Sequence, residues 1–138
     1  MSRQEVLDRL CHQHGILAVY LFGSRADDGL RVLRGEAVSR EGSDLDVGVF
    51  FREHLDDPIV PSQLQIEIEN IFEPLIAKLT PLEQLDPLSQ YDAIEGHRIA
   101  APDPTAANLY ELAVISMAEE ALWLKRQMES EDSPFSLL

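Results

Sequence analysis

The sequence has a single cysteine, Cys11, so no disulfide can close within the chain. No apolar run approaches the ~20 residues that span a bilayer. The opening residues, MSRQEVLDRL, lack the apolar middle of a secretory signal. These absences exclude a disulfide-stapled scaffold and give the expectation of a cytoplasmic protein with no membrane contact. Basic residues are also scarce, 11 against 25 acidic ones, for a formal net charge of −14. Such a surface repels phosphate backbones, which disfavours direct nucleic-acid binding. It suits a basic protein partner, or a substrate that arrives with metal cations. There is no Cys/His spacing for zinc and no nucleophile-elbow pattern. His12 and His14 stand two apart at a helix end, a spacing that does not face one ligand.

What is present fits one α/β domain over residues 1–138, with a small mixed sheet flanked by helices. Ser2 and Glu5 form a capping-box pattern ahead of Val6, Leu7 and Leu10, and Gly15 can end that helix. The run ILAVYLF, residues 16–22, reads as a strand buried on both faces. The polar stretch 27–42, DDGLRVLRGEAVSREG, reads as a long loop with at most a helical turn at 30–33. A second strand follows at 44–51. Ser62 and Gln65 repeat the capping-box pattern before a stripe of Leu64, Ile68, Ile71, Phe72 and Leu75, which Pro74 should end or kink. Residues 77–85 read as a short third strand that Pro81 confines to an edge or an interruption. Asp86–Pro87 and Asp103–Pro104 are helix starts. The first of those helices runs to about Glu95 and the second over residues 104–128, with HRIA extended between them and a loose tail at 129–138.

The stretch GSDLDVGVFF holds the chemistry. Strand side chains alternate, so Leu45, Val47 and Val49 face a core while Asp44 and Asp46 share the other face. Two carboxylates this close repel unless a cation lies between them. Mg²⁺ takes oxygen ligands, typically one or two carboxylates together with substrate phosphates. Asp-x-Asp alone is common in exposed strands and turns. Its company makes it specific: Gly23 and Ser24 follow directly on the preceding buried strand. A Gly-Ser turn there offers backbone N–H groups and a hydroxyl with little bulk, as a phosphate cradle requires.

The segments LFGSRA and RGEAVSREGSDLDVGVF together resemble the signature of the minimal nucleotidyltransferases, a branch of the DNA polymerase β-like superfamily. A looser likeness extends to LSQYDAIEGHRIA. The resemblance implies that Gly23 and Ser24 bind the terminal phosphates of a nucleoside triphosphate. Arg25 would stand beside them, on the phosphates or bracing the loop. Asp44 and Asp46 would bind Mg²⁺ and serve transfer of a nucleotide, with ATP as the donor. Two departures stand out. Residues 27–33 lie as an insertion between motif halves that usually run together, either a cover for the nucleotide or a partner contact or, the leading reading, a tolerated surface insertion. The family also carries a third carboxylate on the next core strand. No acid occurs at 78–81, and Glu83 is the nearest candidate.

The last helix carries more apolar surface than one core face needs. Tyr110, Val114, Met117, Ala121, Leu124 and Met128 form one stripe, with Leu109, Leu112, Ile115 and Leu122 off it. That excess can meet another chain, either as an oligomer or with a partner. The resemblance implies an antitoxin paired with a HEPN-type RNase toxin, in some members adding AMP to a toxin tyrosine. The competing expectations are a nucleotidyltransferase-fold protein that neutralises a partner by contact alone, and an enzyme that modifies a small hydroxyl compound.

Overall fold

The computed structural model describes residues 1–53 and 59–130. The elements run α1 (Arg3–His14), β1 (Ile16–Phe22), α2 (Ala26–Leu33), β2 (Leu45–Phe51), α3 (Ser62–Phe72), β3 (Ala77–Pro81), α4 (Pro87–Ile94), β4 (His97–Ala100) and α5 (Pro104–Glu129). A single 3₁₀ turn, Leu82–Gln84, follows β3. The strands form one mixed sheet in the order β3-β2-β1-β4. β1 pairs antiparallel with β2 and β4, while β2 and β3 run parallel. Proline 81 ends β3, and β3 is an edge strand, where a missing N–H is tolerated.

Alternation along β1 and β2 sorts their side chains into two cores. Val19, Leu21, Leu45, Val47 and Val49 pack under α1, α2 and α3 with Leu7, Leu10, Leu64, Ile68 and Phe72. Ala18, Tyr20 and Phe50 pack on the other face with Leu82, Ala93, Ala107 and Val114. On that second face the rings of Tyr20 and Phe50 meet edge-on, 5.9 Å between centroids, and Tyr110 of α5 tilts against Phe50 at 4.3 Å. Arg98 on β4 reaches Glu111 at 2.9 Å and Asn108 at 2.7 Å, which ties α5 to the sheet edge. Burial raises the Tyr20 phenol well above its usual range, with the Glu111 charge adding and Arg98 opposing. Cys11 is buried in the first core, and desolvation, with Asp8 adding, pushes its thiol up to about 12.

Several helix ends obey the chemistry read from the sequence. Ser2 Oγ accepts the Glu5 N–H, and Gly15 closes α1 at φ 63°. Asp86 and Asp103 accept from Ser89 and Ala106. Ser62 does not cap α3: the N-cap position falls on Pro61, and Ser62 is already inside the helix. The helix ends at Phe72, two residues before Pro74. β2 starts at Leu45, one residue later than expected. HRIA pairs as a true strand.

The largest correction concerns the expected loop and insertion at 27–42. Its first part folds as α2, packed on the sheet. Gly29 lies within the stretch read as a loop, yet here it serves close packing. A Cβ on Gly29 would lie 2.7 Å from Leu21 Cδ1 and 3.0 Å from Leu45 Cδ1, so only glycine lets the helix axis come this near. Ala26, Gly29 and Val32, three apart, are the face it buries.

The last buried side chain of α5 is Ala118, and the helix continues a further ~16 Å to Glu129. Leu122, Trp123, Leu124 and Met128 are exposed along this portion. The expected loose tail falls, from 131 on, outside the described residues, as do residues 54–58 of the connection after β2. No helix among the described residues is long and apolar enough to cross a membrane.

Candidate functional site

The end of β1 and the start of β2 lie side by side, because the antiparallel register sets Phe22 across from Asp46. The chain leaves β1 through Gly23 at φ 77°, a left-handed conformation that favours glycine. That turn is crowded on one side. A Cβ on Gly23 would lie 2.5 Å from Asp46 Oδ2, so the Asp46 carboxylate leans over the bare glycine. Asp46 is half-buried, whereas Gly23, Ser24 and Asp44 are exposed. Leu45 is fully buried on the opposite face, which turns Asp46 outward, and Asp44 immediately precedes the strand. Ser24 Oγ meets Ser43 Oγ at 2.9 Å, joining the glycine turn to the residue just ahead of the aspartates. The sequence-predicted residues Gly23, Ser24, Asp44 and Asp46 are thus brought together at one open end of the sheet.

Arg25 is placed differently. The residue is only 8% exposed, and its side chain braces the backbone. The guanidinium donates to the carbonyls of Ser39 at 2.7 Å, Glu41 at 3.1 Å and Ser43 at 3.2 Å, and pairs with Asp28 at 2.8 Å. All three carbonyls belong to the loop that delivers Ser43 and Asp44 to β2. Of the two roles the sequence left open, the geometry gives Arg25 the second, as a positioning residue. Arg25→Met should cost about 2–4 kcal/mol, because it strands several carbonyls and Asp28. Urea unfolding checks this, and nucleotide affinity should fall less than on loss of the aspartates.

Glu83 does not join the aspartates. Its Oε1 accepts the Phe51 N–H at 2.7 Å, at the far end of β2. Phe51 lies five residue steps along the strand from Asp46, about 17 Å. The physical reason is the parallel register, which sets Lys78 beside Asp46 and so puts Glu83, in the 3₁₀ turn after Pro81, level with Phe51. On β3 the residue beside Asp46 is Lys78, and the one beside Gly48 is Thr80. The third carboxylate expected of the family therefore has no acidic counterpart at these two positions. Among the described residues no three His, Cys, Asp or Glu converge as a ready metal cage. Two carboxylates fit Mg²⁺ that is bound chiefly through phosphates and water. A separate hollow of about 400 Å³ between α1 and α3, lined by residues including Arg3, Arg9 and Glu67, contains none of the motif residues.

Sequence reasoning missed two participants. Ser43 was given no role, but its hydroxyl and carbonyl serve Ser24 and Arg25. Lys78 sat in the segment scanned only for acids. Period-two alternation from the buried Ala77 and Leu79 was the available signal that it faces the aspartates.

A mixed four-stranded sheet, with a glycine turn ending one strand and paired aspartates beginning its neighbour, defines the polymerase β-like nucleotidyltransferase fold. The chain belongs to the family described as Polymerase beta, Nucleotidyltransferase, matched over residues 4–105. No curated protein is significantly similar in sequence. Among solved structures, the chain is similar to one from the toxin–antitoxin MntA–HpeT in mutant form, with TM-score 0.62 and 17% identity, covering 92% of this chain and 93% of that one. A toxin–antitoxin with AMP-PNP gives TM-score 0.60 and 19% identity, with 90% and 92% covered. The tri-AMPylated Shewanella oneidensis HEPN toxin in complex with MNT antitoxin gives TM-score 0.59 and 17% identity, with 91% and 90% covered. The polymerase β-like superfamily to which the sequence pointed is thus the chain's own.

Proposed function

We propose that this protein is the antitoxin of a HEPN-type toxin pair and a Mg²⁺-dependent nucleotidyltransferase that moves AMP from ATP to a hydroxyl of its partner. The observation that carries the reading is the Asp46 carboxylate leaning over the glycine of the Gly23–Ser24 turn. Gly23 and Ser24 would receive the terminal phosphates, and Asp44 and Asp46 would hold the metal. Mg²⁺ bound there would neutralise charge on the transferring phosphate and the leaving pyrophosphate. The similar structures include a complex with AMP-PNP and an AMPylated HEPN toxin, which supports both the donor and the kind of acceptor. The exposed far portion of α5 is the natural seat for a second chain, since an isolated helix end this apolar is poorly stable alone. The acidic surface, at a formal −14, suits a basic partner such as an RNA-cleaving protein.

A second reading, neutralisation by contact without transfer, is favoured by one observation: Lys78 stands where an acid would act as base. One experiment separates the two. The protein is co-purified with a HEPN-class toxin and given ATP labelled at the α-phosphate, with Mg²⁺. Label on the toxin that is lost in Asp44→Asn/Asp46→Asn supports transfer. In that case Glu83→Gln should leave the rate unchanged, since Glu83 is at the wrong end of β2. A complex that silences the toxin without label supports contact alone. No complex and no bound nucleotide would remove both.

A further inference from the structure

The face of β3 that turns toward the aspartates carries a cation. Ala77, Leu79 and Pro81 are buried on the opposite side, so Lys78 and Thr80 share the side of Asp46 and Gly48. Lys78 is exposed and directly beside Asp46 in the parallel ladder, one strand spacing away, about 4.8 Å. Asp46 itself leans the other way, over Gly23. The half-buried carboxylate therefore has the phosphate-cradle turn on one flank and a lysine on the other. The flexible stem of a lysine can bring its charge to a phosphate held above Asp46.

We propose that Lys78 is a fixed cation of the nucleotide site and limits that site to one divalent ion per bound nucleotide. The inference rests on the nucleotide-binding reading above. Two carboxylates and a triphosphate supply enough anionic oxygen for one hard cation. A second ion, of the kind that serves the attacking oxygen in two-metal sites, needs anionic ligands of its own. Among the described residues no third acid converges on the pair, and β3 offers a like charge where one would be needed. Lys78 repels the second ion and neutralises part of the nucleotide's charge itself.

The test counts metal and measures affinity without any turnover. The full-length protein is titrated with Mn²⁺ and the β,γ-imido analogue of ATP. Bound Mn²⁺ is read from the loss of free-ion electron paramagnetic resonance signal, and analogue affinity from calorimetry. The parent should bind one Mn²⁺ per analogue. Lys78→Gln should weaken the analogue roughly tenfold, the loss of one bond to a charged group. Lys78→Glu should admit a second Mn²⁺. Both changes lie on an exposed side chain, and circular dichroism confirms that the fold survives; should Lys78→Glu misfold, the parent count and Lys78→Gln still decide. Two Mn²⁺ in the parent, unchanged affinity in Lys78→Gln, or a single Mn²⁺ in a folded Lys78→Glu would each overturn the proposal. Failure of the nucleotide reading looks different: the parent then binds neither analogue nor analogue-dependent Mn²⁺.

Discussion

Asp44→Asn/Asp46→Asn is expected to weaken Mg²⁺-dependent ATP binding by at least roughly 100-fold while leaving the protein folded. Asparagine keeps the shape of each side chain and removes its charge. A hard divalent ion binds an amide oxygen far less well than a carboxylate, and without the ion the triphosphate faces an acidic surface with little to hold it. Stability should move by no more than about 0.5 kcal/mol, as for other surface substitutions. Asp44 is exposed and Asp46 only half-buried, so neither anchors a core. Calorimetry with ATP, run with and without Mg²⁺, gives the binding arm, and urea unfolding gives the stability arm. ATP binding the double variant as tightly as the parent would place the site elsewhere.

That experiment tests a site whose parts were legible in the sequence to different degrees. Strands β1 and β2 were readable because burial on both faces leaves an unbroken apolar run, and because alternation at Leu45, Val47 and Val49 forces Asp46 outward. Caps at Ser2, Asp86 and Asp103 were readable because a side chain that satisfies a helix N–H is a local event. Helix α2 was not readable as such. Gly29 and the two acids before it carry turn chemistry, and only the approach of Leu21 and Leu45, distant in sequence, turns the glycine into a packing residue. The Ser62 cap failed for the opposite reason: a local pattern was present, but Pro61 took the N-cap position.

Site membership divided along the same line. The glycine turn and the aspartates are each contiguous in sequence, so a short motif captures them. Arg25 is adjacent to that motif, yet its role depends on where residues 39–43 fold back, and its four partners there and at Asp28 are non-local or one helical turn away. Glu83 and Lys78 were decided by the register of β3 and by the 3₁₀ turn after it. A parallel edge strand has no hairpin to fix its register from the sequence, so the residue facing Asp46 could be known only from the fold.

Gly23→Ala carries the other large expected effect, and Gly35→Ala is its control. Both glycines hold positive φ, 77° and 80°. An alanine at either should therefore cost about 1–2 kcal/mol for the left-handed backbone alone. They differ in their surroundings. Nothing lies within 4 Å of a Cβ on Gly35, whereas a Cβ on Gly23 meets Asp46 Oδ2 at 2.5 Å. The Asp46 carboxylate is the free end of a side chain and can rotate aside, so the fold should survive at little further cost. The site should not. Rotation takes Asp46 away from the turn proposed to receive the phosphates, and the new methyl fills the space the glycine left open. Urea unfolding should give similar losses of stability for the two variants, within about 1 kcal/mol. Calorimetry should separate them: Gly35→Ala keeps the parent's Mg²⁺-dependent affinity for ATP, and Gly23→Ala loses roughly 30-fold or more. Equal ATP affinity in the two variants would mean that the contact between Gly23 and Asp46 is only packing, and that the nucleotide does not sit over it.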